Sequence, residues 1–289
     1  MIHVPNLRVR LLLGACVVEL VATATSAGDP ARIVKLGELA KQIVESSGLA
    51  ACRSRRQTFW THNDSGHPAQ LFLIDGQGRE ISRLHVRGVT AVDWEDVSSF
   101  RYQQQNYILV GDVGDNGRRR KQVRLLLIRE PQLSGKLSTE GTIDVHRVIN
   151  FRYASGPCDC EAVGVDPTTG RVLLVEKAVR GRVFSLQLFP RDQRPQVARQ
   201  VARLNTPFAT AMDIAPDGTR AVVLTYLGAV EYRRQRRESW AQAFSRSPRR
   251  LKMPVRRQGE AICYGLGGKA LYLTSEGVSE PFWKVQPGK

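Results

Sequence analysis

Short apolar runs separated by turn chemistry dominate this chain. Residues 58–61, 71–74, 107–110, 123–128, 172–175, 183–188, 221–225 and 271–274 are such runs. Between them sit Asp75-Gly76-Gln77-Gly78, Asp166-Pro167-Thr168-Thr169-Gly170, Pro216-Asp217-Gly218 and Gly267-Gly268. These steps supply the left-handed backbone positions and the pre-set proline torsion that hairpins need. Helical periodicity is scarce, and residues 238–244 are the one stretch that fits a helical turn. The pattern predicts an all-β chain.

The runs also repeat. Each unit reads as an inner strand, a turn, a second strand ending in polar residues, then one or two outer strands. The inner strands are Ser47-Gly48-Leu49-Ala50, Trp94-Glu95-Asp96-Val97, Cys160-Glu161-Ala162-Val163, Ala211-Met212-Asp213-Ile214 and Gly259-Glu260-Ala261-Ile262. The second strands end at Asn63-Asp64, Gly111-Asp112, Glu176-Lys177, Thr225-Tyr226 and Ser275-Glu276. A period of roughly 50 residues suits a four-stranded propeller blade. Counting inner strands predicts a β-propeller of five blades; a partial sheet hidden within 133–153 would make six. The last unit is short, and residues 31–45, with Ile33, Lys35, Gly37 and Leu39 alternating, are expected to supply its missing outer strand and close the ring. A β-sandwich is the alternative, but it leaves the recurring acidic position unexplained.

Composition bounds the reading further. The 289 residues are 42% hydrophobic and 24% charged, which excludes a mainly disordered, collagen-like or multispan membrane chain. Lys plus Arg outnumber Asp plus Glu by 43 to 27, a formal charge of +16. Part of the excess lies in runs at 118–121, 233–237, 249–250 and 256–257, which are either solvated loops or docking sites for a polyanion. No motif with base-reading geometry is present, so no specific nucleic-acid partner is expected. Residues 1–27 read as an export signal: Arg8 and Arg10, an apolar tract over 11–24, then Thr25-Ser26-Ala27. The mature domain is then 28–289, secreted or periplasmic, monomeric and without a transmembrane helix. A lipobox-like Leu13-Gly14-Ala15-Cys16 is the lesser alternative, with a lipid on Cys16. Cys52, Cys158, Cys160 and Cys263 remain in the mature chain, as disulfides or buried thiols rather than a zinc site.

In a propeller, equivalent inner-strand positions converge on a central channel. Here Glu95, Glu161, Asp213 and Glu260 recur at that position, flanked by Asp93, Asp96 and Asp159. Strand ends add Asn63, Asp64, Asp112, Glu176 and Glu276. Gathered carboxylates need a cation or shared protons. Hard oxygen donors without histidine point to Ca²⁺, with Glu95, Asp112, Glu161, Asp213 and Glu260 as candidate ligands. Lys177 is a local counter-charge, and the alternative is that these carboxylates cap turns and pair with arginines. Gly111-Asp112-Val113-Gly114-Asp115-Asn116 resembles part of a calcium loop but lacks its later ligands, and a tight turn explains it equally.

The phrases Trp60-Thr61-His62-Asn63-Asp64-Ser65-Gly66, Asp93-Trp94-Glu95-Asp96, Arg129-Glu130-Pro131 and Gln258-Gly259-Glu260-Ala261-Ile262 resemble an uncharacterised family of exported bacterial propellers. More distantly, the layout is similar to esterase-like phytase and gluconolactonase-like propellers. That resemblance implies hydrolysis of small phosphate or lactone esters with a central Ca²⁺. On this reading Asp64, Glu276 or His62 takes a proton from water, although a packed strand-end role for His62 is the simpler one. The competing reading is a non-enzymatic scaffold that binds a glycan, a polyanion or an envelope protein through its basic loops. Trp60, Trp94, Trp240 and Trp283 are expected in the core rather than as sugar platforms.

Overall fold

A computed structural model describes residues 30–135, 139–190 and 194–288; the expected export signal and Cys16 lie outside them. In chain order the strands begin with β1 (Arg32–Glu38), followed by β2 (Ser46–Ala51), β3 (Thr58–Asn63), β4 (Gln70–Asp75) and β5 (Glu80–Arg87). Next come β6 (Trp94–Tyr102), β7 (Gln105–Asp112), β8 (Val123–Arg129), β9 (Glu140–Asp144) and β10 (Arg147–Tyr153). The third group is β11 (Cys160–Asp166), β12 (Arg171–Glu176), β13 (Arg182–Gln187) and β14 (Gln196–Arg203). β15 (Ala209–Ile214), β16 (Arg220–Thr225), β17 (Gly228–Arg233) and β18 (Arg249–Leu251) follow, with helix α1 (Trp240–Phe244) before the last. The chain closes with β19 (Ala261–Tyr264), β20 (Leu271–Thr274) and β21 (Pro281–Gln286).

These strands form meanders that are antiparallel except where β9 joins β5 in parallel. Their orders are β2-β3-β4-β5-β9, β6-β7-β8-β10, β11-β12-β13-β14, β15-β16-β17-β18 and β19-β20-β21-β1. The second and third meanders are joined into one sheet where β10 pairs in parallel with β14, Phe151 opposite Gln196. The segment that left a sixth sheet open holds β9 and β10, which add to the outer edges of neighbouring sheets, β5 and β8. β1 runs antiparallel to β21, from Arg32 opposite Gln286 to Glu38 opposite Pro281, so the N-terminal segment covers the last sheet's edge. The short helix carries a reciprocal capping box between Ser239 and Gln242.

The first strands of the meanders face one another. β2 packs on β6, β6 on β11, β11 on β15, β15 on β19, and β19 back on β2. Strands packed on both faces have no polar face, and β2, β3 and β11 are buried along their whole length. Outer strands such as β10 alternate buried and exposed residues. The apolar core lies between adjacent sheets, with Trp60 and Trp94 wholly buried in one such layer. Burying a Leu, Ile or Phe there contributes about 1.5–3 kcal/mol. The architecture is thus all-β and propeller-like. Among the described residues no helix is long and apolar enough to cross a membrane.

Buried carboxylates stitch the first strands together. Asp96 on β6 accepts the backbone N–H of Val97, of Val163 on β11 and of Met212 on β15, at 2.8, 2.8 and 3.1 Å. Asp213 on β15 accepts those of Ile214 and of Tyr264 on β19, at 2.9 and 2.8 Å. Cys52, Cys158, Cys160 and Cys263 are free, buried thiols.

Candidate functional site

A repeated irregularity in the first strands builds the site. The register between first and second strands slips between Ser46 and Gly48, Trp94 and Asp96, Cys160 and Ala162, and Ala209 and Ala211. A bulge bends its strand and re-aims the extra residue. The bulged residues are Ser47, Glu95, Glu161 and Thr210, with Glu260 immediately before β19 in the last meander. Thr210, rather than Asp213, therefore holds the fourth equivalent position. The residues just past the second strands, Asp64, Lys177, Tyr226 and Glu276, stand at the same end of the ring.

The bulges bring carboxylates together. Asp64, Asp93 and Glu95 offer oxygens within 4.8 Å of one another, and so do Glu95, Asp159 and Glu161. Glu95 belongs to both triads. Gly114 makes the approach feasible, because a β-carbon there would collide with Glu95 Oε1 and Asp93 Oδ2. Glu95, Asp159 and Glu161 are buried, while Asp64 and Asp93 are partly open to solvent. The charged forms are accordingly disfavoured. Burial, then Glu161, Asp64 and Asp93, hold the Glu95 carboxyl well above the usual carboxylate range. Burial pushes Glu161 up to about 7 against the pull of Lys177, whose Nζ lies 3.1 Å from Glu161 Oε1. Asp64 is pushed up to about 6, again mainly by burial.

A second acidic group flanks the first. Burial and the nearby Glu276 push Glu260 up to about 7, with Lys177, Gln258 and Tyr226 opposing. Glu276 accepts the Ser47 hydroxyl at 3.2 Å and the Gln258 amide. Lys177 sits between the two groups. Burial works against its charge, but Glu161 and its other polar neighbours outweigh that and raise it, so it remains an ammonium ion.

Other residues singled out in the sequence lie elsewhere. Asp112 is fully buried and held by Arg120 and Arg124, each at 2.8 Å, while it accepts the Asp93 N–H at 3.2 Å. Asp213 is spent on backbone amides deeper in the ring. Glu176 makes a two-pronged contact with Arg182. Asp115 caps the Arg119 and Arg120 N–H groups at 2.8 Å, which makes its segment a tight turn. His62 is buried, with Nδ1 3.0 Å from the Asn63 carbonyl oxygen and its ring edge-on to Trp94. Burial lowers it to about 4, so it is a neutral packing group at pH 7. Asp93 and Asp159, noted in the sequence only as flanking residues, are in the cluster. The signal for them was their common place two residues before the bulged glutamate. Tyr226 was missed as a site residue because only the fold brings it over Lys177.

The donor set is oxygen throughout, without imidazole or thiolate, and it concentrates negative charge on one shared side chain. That chemistry fits a hard divalent cation.

No family model matches the chain, and no curated protein matches its sequence. Among solved structures, the fold is similar to that of a gluconolactonase from Xanthomonas campestris, with a TM-score of 0.50 and 13% identity over 90% of both chains. Identity that low speaks to the fold alone, and it does not reach the closer likeness to exported bacterial propellers. The fold of the chain is distantly similar to that of gluconolactonase-like propellers.

Proposed function

We propose that the protein is an exported, metal-dependent hydrolase that opens small esters at the acidic mouth of a five-bladed propeller, with lactones the first substrate class and phosphate esters the second. The five mutually packed first strands support that blade count. Asp64, Asp93, Glu95, Asp159 and Glu161 would hold the cation, and Ca²⁺ suits their all-oxygen chemistry. When bound, it neutralises the gathered carboxylates and polarises a substrate carbonyl oxygen. Lys177 pulls Glu161 toward its charged form against the effect of burial, and with the Tyr226 hydroxyl it offers donors to substrate oxygens at the mouth. Glu276 is partly exposed, raised by burial and oriented by Ser47 and Gln258, so it is placed to take a proton from water. His62 is left out, being buried and neutral.

The observation that carries this reading is the sharing of Glu95 between two carboxylate triads at the open end of a propeller-like ring. Proton release from gluconolactone, followed in a pH-stat, tests it. Turnover is expected to vanish when the metal is stripped, to return with Ca²⁺, and to fall by about a hundredfold or more in Glu161→Gln. Turnover indifferent to chelation would contradict the reading. So would a metal-dependent melting temperature without turnover of lactones or phosphate esters, the behaviour of a binding scaffold.

A further inference from the structure

The basic runs that stand out in the sequence are partly neutralised in the fold. Arg120 is paired with Asp112, Arg233 with Glu231 at 3.2 Å and Arg234 with Asp166 at 2.7 Å. Unbalanced positive charge gathers instead in a cleft of about 780 Å³ beside β17 and β18. Its lining includes Arg180, Arg203, Arg246 and Arg250 but no carboxylate. These arginines come from three separate segments of chain, Arg246 and Arg250 sharing the stretch that leads into β18. The Arg203 guanidinium donates to the Arg180 carbonyl oxygen at 3.2 Å, which draws two of the segments together. Arg246 is paired with Glu238. Arg180, Arg203 and Arg250 have no ion-pair partner among the described residues, and all three are exposed. Asn205 and Ser247 add neutral hydrogen-bonding groups.

We infer that this cleft binds a compact, multiply charged oxyanion of the phosphate or sulfate type. Guanidinium groups meet such oxygens with paired, charge-assisted hydrogen bonds. The cleft is open to solvent, and its volume is that of a small-ligand site; a long polyanion would need a basic stripe along the surface. The cleft lies next to the acidic mouth but shares none of its carboxylates: Tyr226 contacts Lys177, whereas its neighbours Thr225 and Leu227 line the cleft.

Calorimetric titration of the metal-stripped protein with tripolyphosphate, and separately with sucrose octasulfate, tests the inference without reading turnover. One ligand per chain is expected from at least one probe, with affinity falling as salt rises. The arm that binds identifies phosphate or sulfate as the anion; binding in both arms assigns recognition to charge and shape. Arg203→Ala with Arg250→Ala should weaken binding at least about tenfold, at an unchanged melting temperature. Arg203→Lys with Arg250→Lys, which keeps the charge but loses the planar fork, should fall between. Arg236→Ala with Arg237→Ala, in the run outside the cleft, should bind like the parent. Binding by neither probe overturns the inference, as does an equal loss in the 236/237 variant.

Discussion

Glu95 and Lys177 set the electrostatics of the mouth between them. Glu95 is the carboxylate that both triads share, and Lys177 is the one cation in hydrogen-bond contact with either triad among the described residues. A lysine that balances Glu161 also repels any metal ion the cluster receives. Lys177→Met is therefore expected to tighten Ca²⁺ binding by about tenfold while lowering lactone turnover, because a donor to the substrate is lost. Weaker Ca²⁺ binding in this variant would mean that Lys177 organises the ligands rather than competing with the ion. Residue types at this scale were readable. Glu95, Glu161 and Glu260 recur in similar local phrases, and the fold brings Glu161 beside Glu95 and within electrostatic reach of Glu260. Asp213 was aligned with them because a bulge has no signature in a single sequence, and its true counterpart is the uncharged Thr210. Asp112 misled for another reason: its neutralising partners are Arg120, from a turn whose path the sequence does not reveal, and Arg124, placed opposite it by the β7–β8 pairing.

The first strands and their bulges are the elements on which the site depends, and Asp96 holds them in register. Its carboxylate ties β6, β11 and β15 by accepting three buried N–H groups. Asp96→Ala would leave those donors unsatisfied at about 1–3 kcal/mol each. Urea unfolding should show a loss of at least about 3 kcal/mol, and a loss below about 1 kcal/mol would mean that β-pairing alone fixes the ring. Elements were legible where turn chemistry bounded an apolar run, as at Asp75-Gly76-Gln77-Gly78 between β4 and β5. The closing strand was also legible, since the last unit lacked an outer strand and residues 31–45 carried alternation without a partner. The parallel pairings of β9 with β5 and β10 with β14 were not. They join segments far apart in sequence, which periodicity cannot report.

For the whole molecule, the buried carboxylates make stability depend on pH in an unusual direction. Asp64, Glu161, Glu260 and Asp213 are raised to about 6, 7, 7 and 7, from ordinary values of 3.8 for Asp and 4.5 for Glu. The folded chain therefore holds these protons more tightly than the unfolded chain. The stability they contribute is fully present below about pH 4 and is lost as pH rises through 6 to 7. His62, lowered to about 4, acts oppositely below about 6.5, but it is one group against four. The metal-stripped protein should melt at a lower temperature at pH 8 than at pH 5. Ca²⁺ should restore the part due to the mouth but not the part due to Asp213. A melting temperature that rises between those pH values without metal would contradict this. The central claim, that the channel mouth holds one divalent cation through Glu95, is tested most directly by calorimetric titration of the chelator-stripped protein with Ca²⁺ at pH 8. One ion per chain is predicted, with binding abolished in Glu95→Gln although that variant stays folded. A folded parent protein that takes up no Ca²⁺, or a Glu95→Gln variant that binds it unchanged, would contradict it.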